Sequence, residues 1–291
     1  MTWILFTLLA AFMQSWRNAF QSRLSGEVKT IGVTLARFLW AGPIAVIYLL
    51  ILYRVQPTIL PVWNLKFVGF VVGAALMQIL ATSLMVMLFK LNNYAVGAGL
   101  AKSEALVAAI LGVLFFGTHL TALGWIGVLI GGVAVFLMST QGRIRQMSIS
   151  TVLLGLGSGS SFALTSLWVR EASLALELPF LHSAAWVLVC VISLQTVLLI
   201  GYLLCHDPST LKALWTRPRL TLLTSASSCL GSLGWFSAMS LQAVPYVKTF
   251  GQIEVFFTML ISIFWLRQKV RMRDSLGLIL IAIAAVLVMW T

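Results

Sequence analysis

Five ionisable residues lie within long apolar stretches of the sequence, where they could bind a charged solute or carry a proton. They are Arg37, Lys102, Glu104, Lys248 and Glu254. A charged side chain at the centre of a bilayer costs about 2.5–3.5 kcal/mol on insertion scales, so such groups usually face a bundle interior or a wet cavity. The chain holds only seven acidic residues, which makes two embedded glutamates informative. We take these five residues as candidates for a central polar site.

The glutamates could bind an amine or exchange a proton, whereas the lysines could bind a carboxylate or a phosphate. Lys102 and Glu104 are two residues apart, about 200° around a helix, so their side chains point to different faces. Lys248 and Gln252 are four residues apart and share a face, which adds Gln252 to the candidates. One alternative stays open: the charged groups form interhelical ion pairs, such as Arg37 with Glu104, that only fix the packing.

Other polar and aromatic residues have weaker claims to a role. Three aromatic residues could line a cavity: Trp16, Trp235 and Tyr246. Aromatic residues are also common in bundle packing and in interface belts. Gln14, Arg17 and Asn18 form a polar end to the first apolar stretch, from which Arg17 is expected to extend to the membrane surface. The sequence shows no nucleophile–base set, no phosphate-binding loop and no metal-ligand spacing, so we expect no catalytic residue, metal site or cofactor.

The elements that position these residues follow from composition. Hydrophobic residues make up 60% of the chain and charged residues only 9%, against about 25% charged residues in soluble domains. The apolar runs are long and do not alternate, so the spans are predicted to be helices and not barrel strands. The predicted fold class is an all-α integral membrane protein with about ten transmembrane helices. The predicted spans are 2–20, 31–53, 67–89, 94–116, 121–139, 151–169, 182–204, 220–242, 246–265 and 275–290.

A weak internal repeat occurs at an offset of 150 residues. Under this shift Glu104 falls on Glu254. The repeat divides the chain into two halves, residues 1–142 and residues 150–291, each with five predicted helices. Because five is odd, the second half must enter the membrane from the opposite side. The prediction is therefore two inverted five-helix repeats, a recurring transporter architecture.

Basic residues dominate the charge, which is formally +12. They lie mostly in short gaps between predicted spans, where Lys and Arg set membrane orientation, so we expect no nucleic-acid partner. The gap at 117–120 has no Lys or Arg, whereas its counterpart at 266–274 has four, as opposite sides require. The more basic side is expected to be cytoplasmic, which leaves both termini outside. Besides those four, it collects Arg23, Lys29, Lys90, Arg143, Arg145, Lys212, Arg217 and Arg219.

Three stretches carry a family likeness: 34–41 with its Arg-Phe pair, 107–138 with spaced glycines, and 251–288, which begins Gly-Gln-Ile-Glu. Through them the chain resembles the drug/metabolite transporter (DMT) superfamily, and within it the EamA-type permeases with ten helices in two repeats. The likeness covers essentially the whole chain. It implies a permease of the cytoplasmic (inner) membrane, commonly an exporter of metabolites or amino-acid-like compounds. It also implies cytoplasmic termini, contrary to the count of Lys and Arg.

The chain departs from the pattern of that superfamily at several positions. Ala105 and Val255 follow the two glutamates where the family often has proline. The first predicted span carries no acidic residue, so the proton-coupling glutamate of the superfamily's small multidrug exporters is absent. This absence argues against antiport of aromatic cations by their mechanism.

The expected function is transport and not catalysis. We expect a permease that exports a small polar or zwitterionic metabolite by alternating access, either coupled to protons or as a facilitated exchanger, with Glu104 and Glu254 as the candidates for coupling. Two alternatives stay open: an intramembrane lipid-modifying enzyme and a multidrug exporter of organic cations. The expected partners are a small-molecule substrate and the lipid bilayer, and a second copy of the chain, as a homodimer, is left open.

Overall fold

The computed structural model describes residues 1–90, 103–140, 148–264 and 272–290. These residues form α-helices joined by short turns, with no β-strand among them, so the predicted all-α fold class is confirmed for this part of the chain. The helices are α1 (Thr2–Ser25), α2 (Thr30–Ala36), α3 (Ala41–Val55), α4 (Leu65–Lys90), α5 (Glu104–Phe115), α6 (Ala122–Thr140), α7 (Ile149–Leu174), α8 (Phe180–His206), α9 (Pro208–Trp215), α10 (Pro218–Leu241), α11 (Val244–Phe250), α12 (Glu254–Phe264) and α13 (Met272–Met289). A 3-10 turn, Gly251–Ile253, joins α11 to α12.

Four helical segments in the described residues are long and apolar enough to cross a membrane. They are Thr30–Val55, Leu65–Lys90, Ile149–Leu174 and Phe180–His206, of 26 or 27 residues each. At a rise of 1.5 Å per residue the three uninterrupted helices among them each span about 40 Å, which exceeds the hydrocarbon core of about 30 Å. Large apolar side chains also cover the outside, and on α3 Ile47, Leu50 and Ile51 are more than half exposed. An apolar exterior around an apolar core is typical of an α-helical membrane protein. The count of ten spans stays a prediction.

Three lengthwise helix pairs form the frame around the site. Helix α1 packs along α10, α4 packs along α7, and α6 packs along α13. Glycine allows the closest approach, because a Cβ at Gly234 of α10 would lie 2.6 Å from the Phe6 carbonyl oxygen of α1. Small residues at such crossings let backbones meet without loss of helical hydrogen bonding.

The second predicted span is broken between α2 and α3, at residues 37–40. Pro43 follows the break, as expected of a residue that lacks an N–H and clashes with the carbonyl four residues earlier. A side chain from α10 satisfies the opened backbone: the Ser225 hydroxyl donates to the Ala36 carbonyl at 2.6 Å and accepts from the Trp40 N–H at 3.1 Å. The break holds Arg37 between neighbouring helices, with its side chain buried.

The ninth predicted span is broken as well, by the 3-10 turn between α11 and α12. This turn makes Glu254 the first residue of α12, and Glu104 is the first residue of α5. The N-terminus of a helix carries a partial positive charge, which stabilises a carboxylate placed there. Both glutamates are the first residues of helices.

Candidate functional site

A polar cavity lies between helices from both halves of the chain, among the residues that the structure describes. Its volume is about 40 Å³, enough for more than one water molecule, and it is partly open to the outside. Helices α1, α4, α5, α7, α10 and α11 contribute to its wall, together with Arg37 from the break. The lining residues are Gln14, Arg17, Asn18, Arg37, Gln78, Met85, Glu104, Phe162, Thr165, Ser166, Ser232, Trp235, Phe236, Met239 and Lys248.

An ion pair joins the two halves inside this cavity. The Lys248 ammonium of α11 lies 2.8 Å from the Glu104 carboxylate of α5, and the two side chains are only 10% and 12% exposed. The Ser166 hydroxyl of α7 donates to the same carboxylate oxygen at 2.9 Å. The ammonium also lies 4.1 Å from the centroid of the Trp235 ring, at cation–π distance. Glu104 and Lys248, two of the candidates taken from the sequence, are thus brought together.

The second glutamate is held by amide side chains of α1. Asn18 Nδ2 donates to one Glu254 carboxylate oxygen at 2.8 Å, and Gln14 Nε2 donates to the other. Arg17 donates through Nη2 to the Asn18 amide oxygen at 2.8 Å, which orients that amide toward the glutamate. The Gln14 amide oxygen in turn accepts a hydrogen bond from Trp235 Nε1 at 2.8 Å. A continuous polar chain therefore runs from Arg17 through Glu254 and Trp235 to the ion pair.

Arg37 is the third cation of the wall and only 2% exposed. Its guanidinium donates to two hydroxyls, Ser228 on α10 at 3.0 Å and Thr82 on α4 at 2.6 Å. The rings of Phe38 and Phe162 lie 5.3 and 5.7 Å from its central carbon. The ion pair of Arg37 with Glu104 considered from the sequence is not formed. The break in the second span directs Arg37 to the hydroxyls.

The remaining candidates are placed differently. Lys102 lies outside the described residues. Gln252 lines a small cavity next to the ion pair and packs against Gly131, where an added Cβ would lie 2.4 Å from its amide oxygen. The Tyr246 hydroxyl accepts a hydrogen bond from the Thr121 N–H at 3.1 Å. Trp16 stacks on the ring of Phe20. The described residues that line the main cavity do not include Trp16, Tyr246 or Gln252.

The expectation that Arg17 extends to the membrane surface is wrong, since its side chain is 3% exposed. The predicted first span ended at residue 20, whereas α1 continues to Ser25. This places Arg17 about 12 Å inside the end of the helix. A signal was present in the sequence, because Gln14, Asn18 and Gln21 are spaced by four and three residues and share one helix face. Gln21 is also fully buried.

The described residues place no group of three or more His, Cys, Asp or Glu side chains where they could hold a metal ion. The side chains that line the cavity can form ion pairs, form hydrogen bonds and exchange protons.

Comparison with known proteins gives information about the fold of this chain but none about its activity. No family model matches the chain, and no curated protein matches it. Among solved structures, 27 chains are similar. One of them, described only as "Crystal structure of protein", has a TM-score of 0.72 at 14% sequence identity, with 98% of each chain covered. At this identity the likeness shows a shared fold over nearly the full length and leaves the function to the geometry of the site.

Proposed function

We propose that this chain is a membrane carrier that moves a small polar or zwitterionic solute by alternating access. The observation that carries the proposal is the buried Glu104–Lys248 ion pair in the wall of the cavity, joined by the guanidinium of Arg37. Charged groups inside a bilayer usually mark a substrate or ion pathway.

The packing supports two inverted five-helix repeats, residues 1–142 and 150–291. A shift of 150 residues places α1 on α7, α4 on α10 and α6 on α13. The shift therefore maps the packed pair α1–α10 onto the packed pair α7–α4. It maps the pair α6–α13 onto itself, with the two helices interchanged, as a two-fold relation requires. This relation supports the two repeats. With them we propose ten spans, a relationship to the EamA-type permeases of the DMT superfamily, and a place in the cytoplasmic (inner) membrane.

The mechanism follows from where the ion pair lies. Glu104 and Lys248 belong to different halves, so their contact helps hold the halves together. A solute that binds Lys248, or a proton that neutralises Glu104, weakens this contact and lets the halves rock about the site. Glu254, held at a second helix N-terminus, is the other candidate for proton binding.

An exporter of organic cations fits the cavity less well. Of the described residues that line it, Arg17, Arg37 and Lys248 are cationic and Glu104 is anionic. A cationic ligand would therefore meet net repulsion and an anion net attraction, whereas a zwitterion could pair its carboxylate with a cation and its ammonium with Glu104.

The test is proton-driven uptake into proteoliposomes by Glu104→Gln and Glu254→Gln variants. Each neutral amide keeps the shape of the side chain but cannot exchange a proton, so we expect coupled uptake to fall to background in a folded, inserted protein. Glu177→Gln, at an exposed glutamate, is the matched control and should transport normally. Coupled uptake that survives both central substitutions would show the proposal to be wrong.

A further inference from the structure

The Arg37 guanidinium is buried beside the cavity without a carboxylate partner in the described part of the chain. Its Nε and one Nη1 proton are used on the hydroxyls of Ser228 and Thr82. A guanidinium carries five N–H donors, so three of them have no acceptor among the described residues. Arg37 is 2% exposed and lines the cavity, so these donors belong to a buried surface next to the empty space.

A buried guanidinium cannot relieve its charge by losing a proton, because arginine stays protonated in proteins. Hydroxyl groups satisfy part of its hydrogen bonding but supply no negative charge. The Glu104 carboxylate attracts Arg37 at longer range but is already paired with Lys248, and Arg17 adds repulsion. Burial of a guanidinium with so little compensating charge is unfavourable. The position therefore favours an anion from outside the chain, bound where the remaining donors point.

Charge balance in the network leads to the same class of ligand. The described charged groups of the cavity wall and the polar chain behind it are three cations and two carboxylates. They are Arg17, Arg37, Lys248, Glu104 and Glu254. With all five ionised the network carries a net charge of +1. A monoanion brings the site to neutrality, a zwitterion leaves it at +1, and an amine raises it to +2, which a medium of low dielectric constant disfavours.

Apolar and aromatic side chains line the cavity beside these charges. The Phe162 ring lies 5.7 Å from the guanidinium carbon of Arg37, so a carboxylate bound there has an aromatic surface beside it. Trp235, Phe236 and Met239 of α10 continue this surface. Such a wall suits the hydrocarbon part of an amphipathic ligand.

We infer that the transported solute is a small organic monocarboxylate with an apolar body, whose carboxylate binds Arg37 and whose body packs on Phe162 and Trp235. This inference rests on the carrier function proposed above and names its substrate class. The carboxylate makes charge-assisted, bidentate hydrogen bonds to the guanidinium, which are among the strongest polar contacts in proteins.

The first test compares three probes that share one phenyl body and differ in charge. Hydrocinnamate is the anion, phenylalanine the zwitterion and phenylpropylamine the cation. Binding to the purified wild-type protein is measured by titration calorimetry in detergent. We expect hydrocinnamate to bind about tenfold or more tightly than phenylpropylamine, because it gains one charge-assisted contact. It should also bind more tightly than phenylalanine, because the ammonium of phenylalanine adds a positive charge to a site that already carries a net positive charge. Equal or tighter binding of phenylalanine or phenylpropylamine, or no saturable binding of hydrocinnamate, overturns the inference.

The second test assigns the preference to Arg37. The variant Arg37→Gln should lose the preference for hydrocinnamate over phenylpropylamine. The control Ser228→Ala removes one hydroxyl partner but keeps the guanidinium, and should keep that preference. A preference that persists in a folded Arg37→Gln protein contradicts the assignment. If Arg37→Gln does not fold, the wild-type comparison still decides the charge class.

Flux measurements separate this inference from the carrier function. Hydrocinnamate that binds through Arg37 but shows no counterflow in proteoliposomes contradicts the carrier function and leaves the ligand class standing. Counterflow of phenylalanine with no preference for the anion contradicts the ligand class and leaves the carrier function standing.

Discussion

At the scale of single residues, the Glu104 carboxylate and the Lys248 ammonium are coupled to each other and to their surroundings. Ser166 supports the carboxylate and the Trp235 ring supports the ammonium. Removing one partner of a buried pair leaves the other charge uncompensated, whereas removing both leaves none. The pair should therefore behave as one unit in stability measurements.

This coupling can be measured with a double-mutant cycle. We expect Glu104→Gln and Lys248→Met each to lower the unfolding free energy by about 3–5 kcal/mol. The double variant should lose less than the sum of the two, by about 1 kcal/mol or more. The unfolding free energies of the wild type, the two single variants and the double variant are measured in mixed micelles, which gives the three differences from wild type. Strictly additive losses would contradict a direct interaction between the two side chains.

Sequence patterns predicted part of this site because charge is rare in an apolar chain. Glu104, Glu254 and Lys248 stood out individually, and all three belong to one polar network. The contribution of α1 was not predicted. The predicted first span ended at residue 20, close to Arg17, whereas α1 continues for five more residues, to Ser25. The partner of Glu104 was also beyond sequence analysis, because Lys248 is 144 positions away and only packing brings the two together.

At the scale of elements, the two helix breaks decide where charge is placed. The break at 37–40 exposes backbone groups that Ser225 satisfies, and the 3-10 turn makes Glu254 the first residue of a helix. A continuous helix at either place would rotate the side chains that follow. The breaks therefore belong to the site as much as the charged residues do.

Contact between α1 and α10 holds the amide side chains of α1 in place. Substitutions at two glycines of α10 test this contact. A Cβ at Gly234 would lie 2.6 Å from the Phe6 carbonyl oxygen and 2.9 Å from the Ala10 nitrogen, both backbone atoms. We expect Gly234→Ala to destabilise the protein by about 1–3 kcal/mol, since overpacking forces the helices apart.

The matched control lies three residues earlier on α10. At Gly231 an added Cβ would meet no atom closer than 3.6 Å, an ordinary contact. Gly231→Ala should be neutral or stabilising, because alanine favours a helix by about 1 kcal/mol over glycine. Thermal unfolding of the Gly234→Ala and Gly231→Ala variants measures both changes in stability. Equal losses at the two positions would contradict the packing described for α1 and α10.

Sequence periodicity predicted the elements better than their interruptions. Apolar length placed the four long helical segments correctly. Proline bends or breaks a helix, and Pro43 lies in the second predicted span. The position of the break also depends on Ser225, which comes from a distant helix. The short helix α9 between two long helices was not predicted, because eight residues give too little periodic signal.

At the scale of the whole molecule, two ion pairs join the halves at one rim. Lys29 pairs with Asp207, and Glu27 pairs with Arg217, each at 2.7 Å. Lys29 and Arg217 were both assigned to the more basic side from sequence, and their meeting at one rim fits that assignment. These exposed pairs are weak individually and are screened by salt. Together they connect the halves at a place that must open if solute leaves on that side.

The Asp207 carboxylate makes this rim sensitive to low pH. Hydrogen bonds from Lys29, Ser209 and Thr210 hold the pKa of Asp207 well below its usual range. A carboxyl group with a lowered folded pKa stabilises the protein above its unfolded pKa of about 3.9, and that contribution is lost as pH falls through the folded value. We expect Asp207→Asn to lower Tm at neutral pH, by an amount that is constant down to about pH 5 and shrinks below about pH 4.

Thermal melts of wild type and variant across this pH range provide the measurement. Glu177→Gln, at an exposed glutamate, serves as the control for a general charge effect. A difference between wild type and Asp207→Asn that grows as the solution is acidified would contradict the role given to the rim.

The most direct test of the carrier account asks whether the cavity is reached from both sides of the membrane. Ser232 lines the cavity, and Ser158 is fully buried without lining it. Each is changed to cysteine in a background in which the native cysteines are replaced: Cys190, Cys205 and Cys229. Vesicles of each orientation are then treated with a membrane-impermeant thiol reagent. The account predicts that Ser232→Cys is modified from either side and that Ser158→Cys is modified from neither. Modification of Ser232→Cys from one side only, or from neither side, would contradict it.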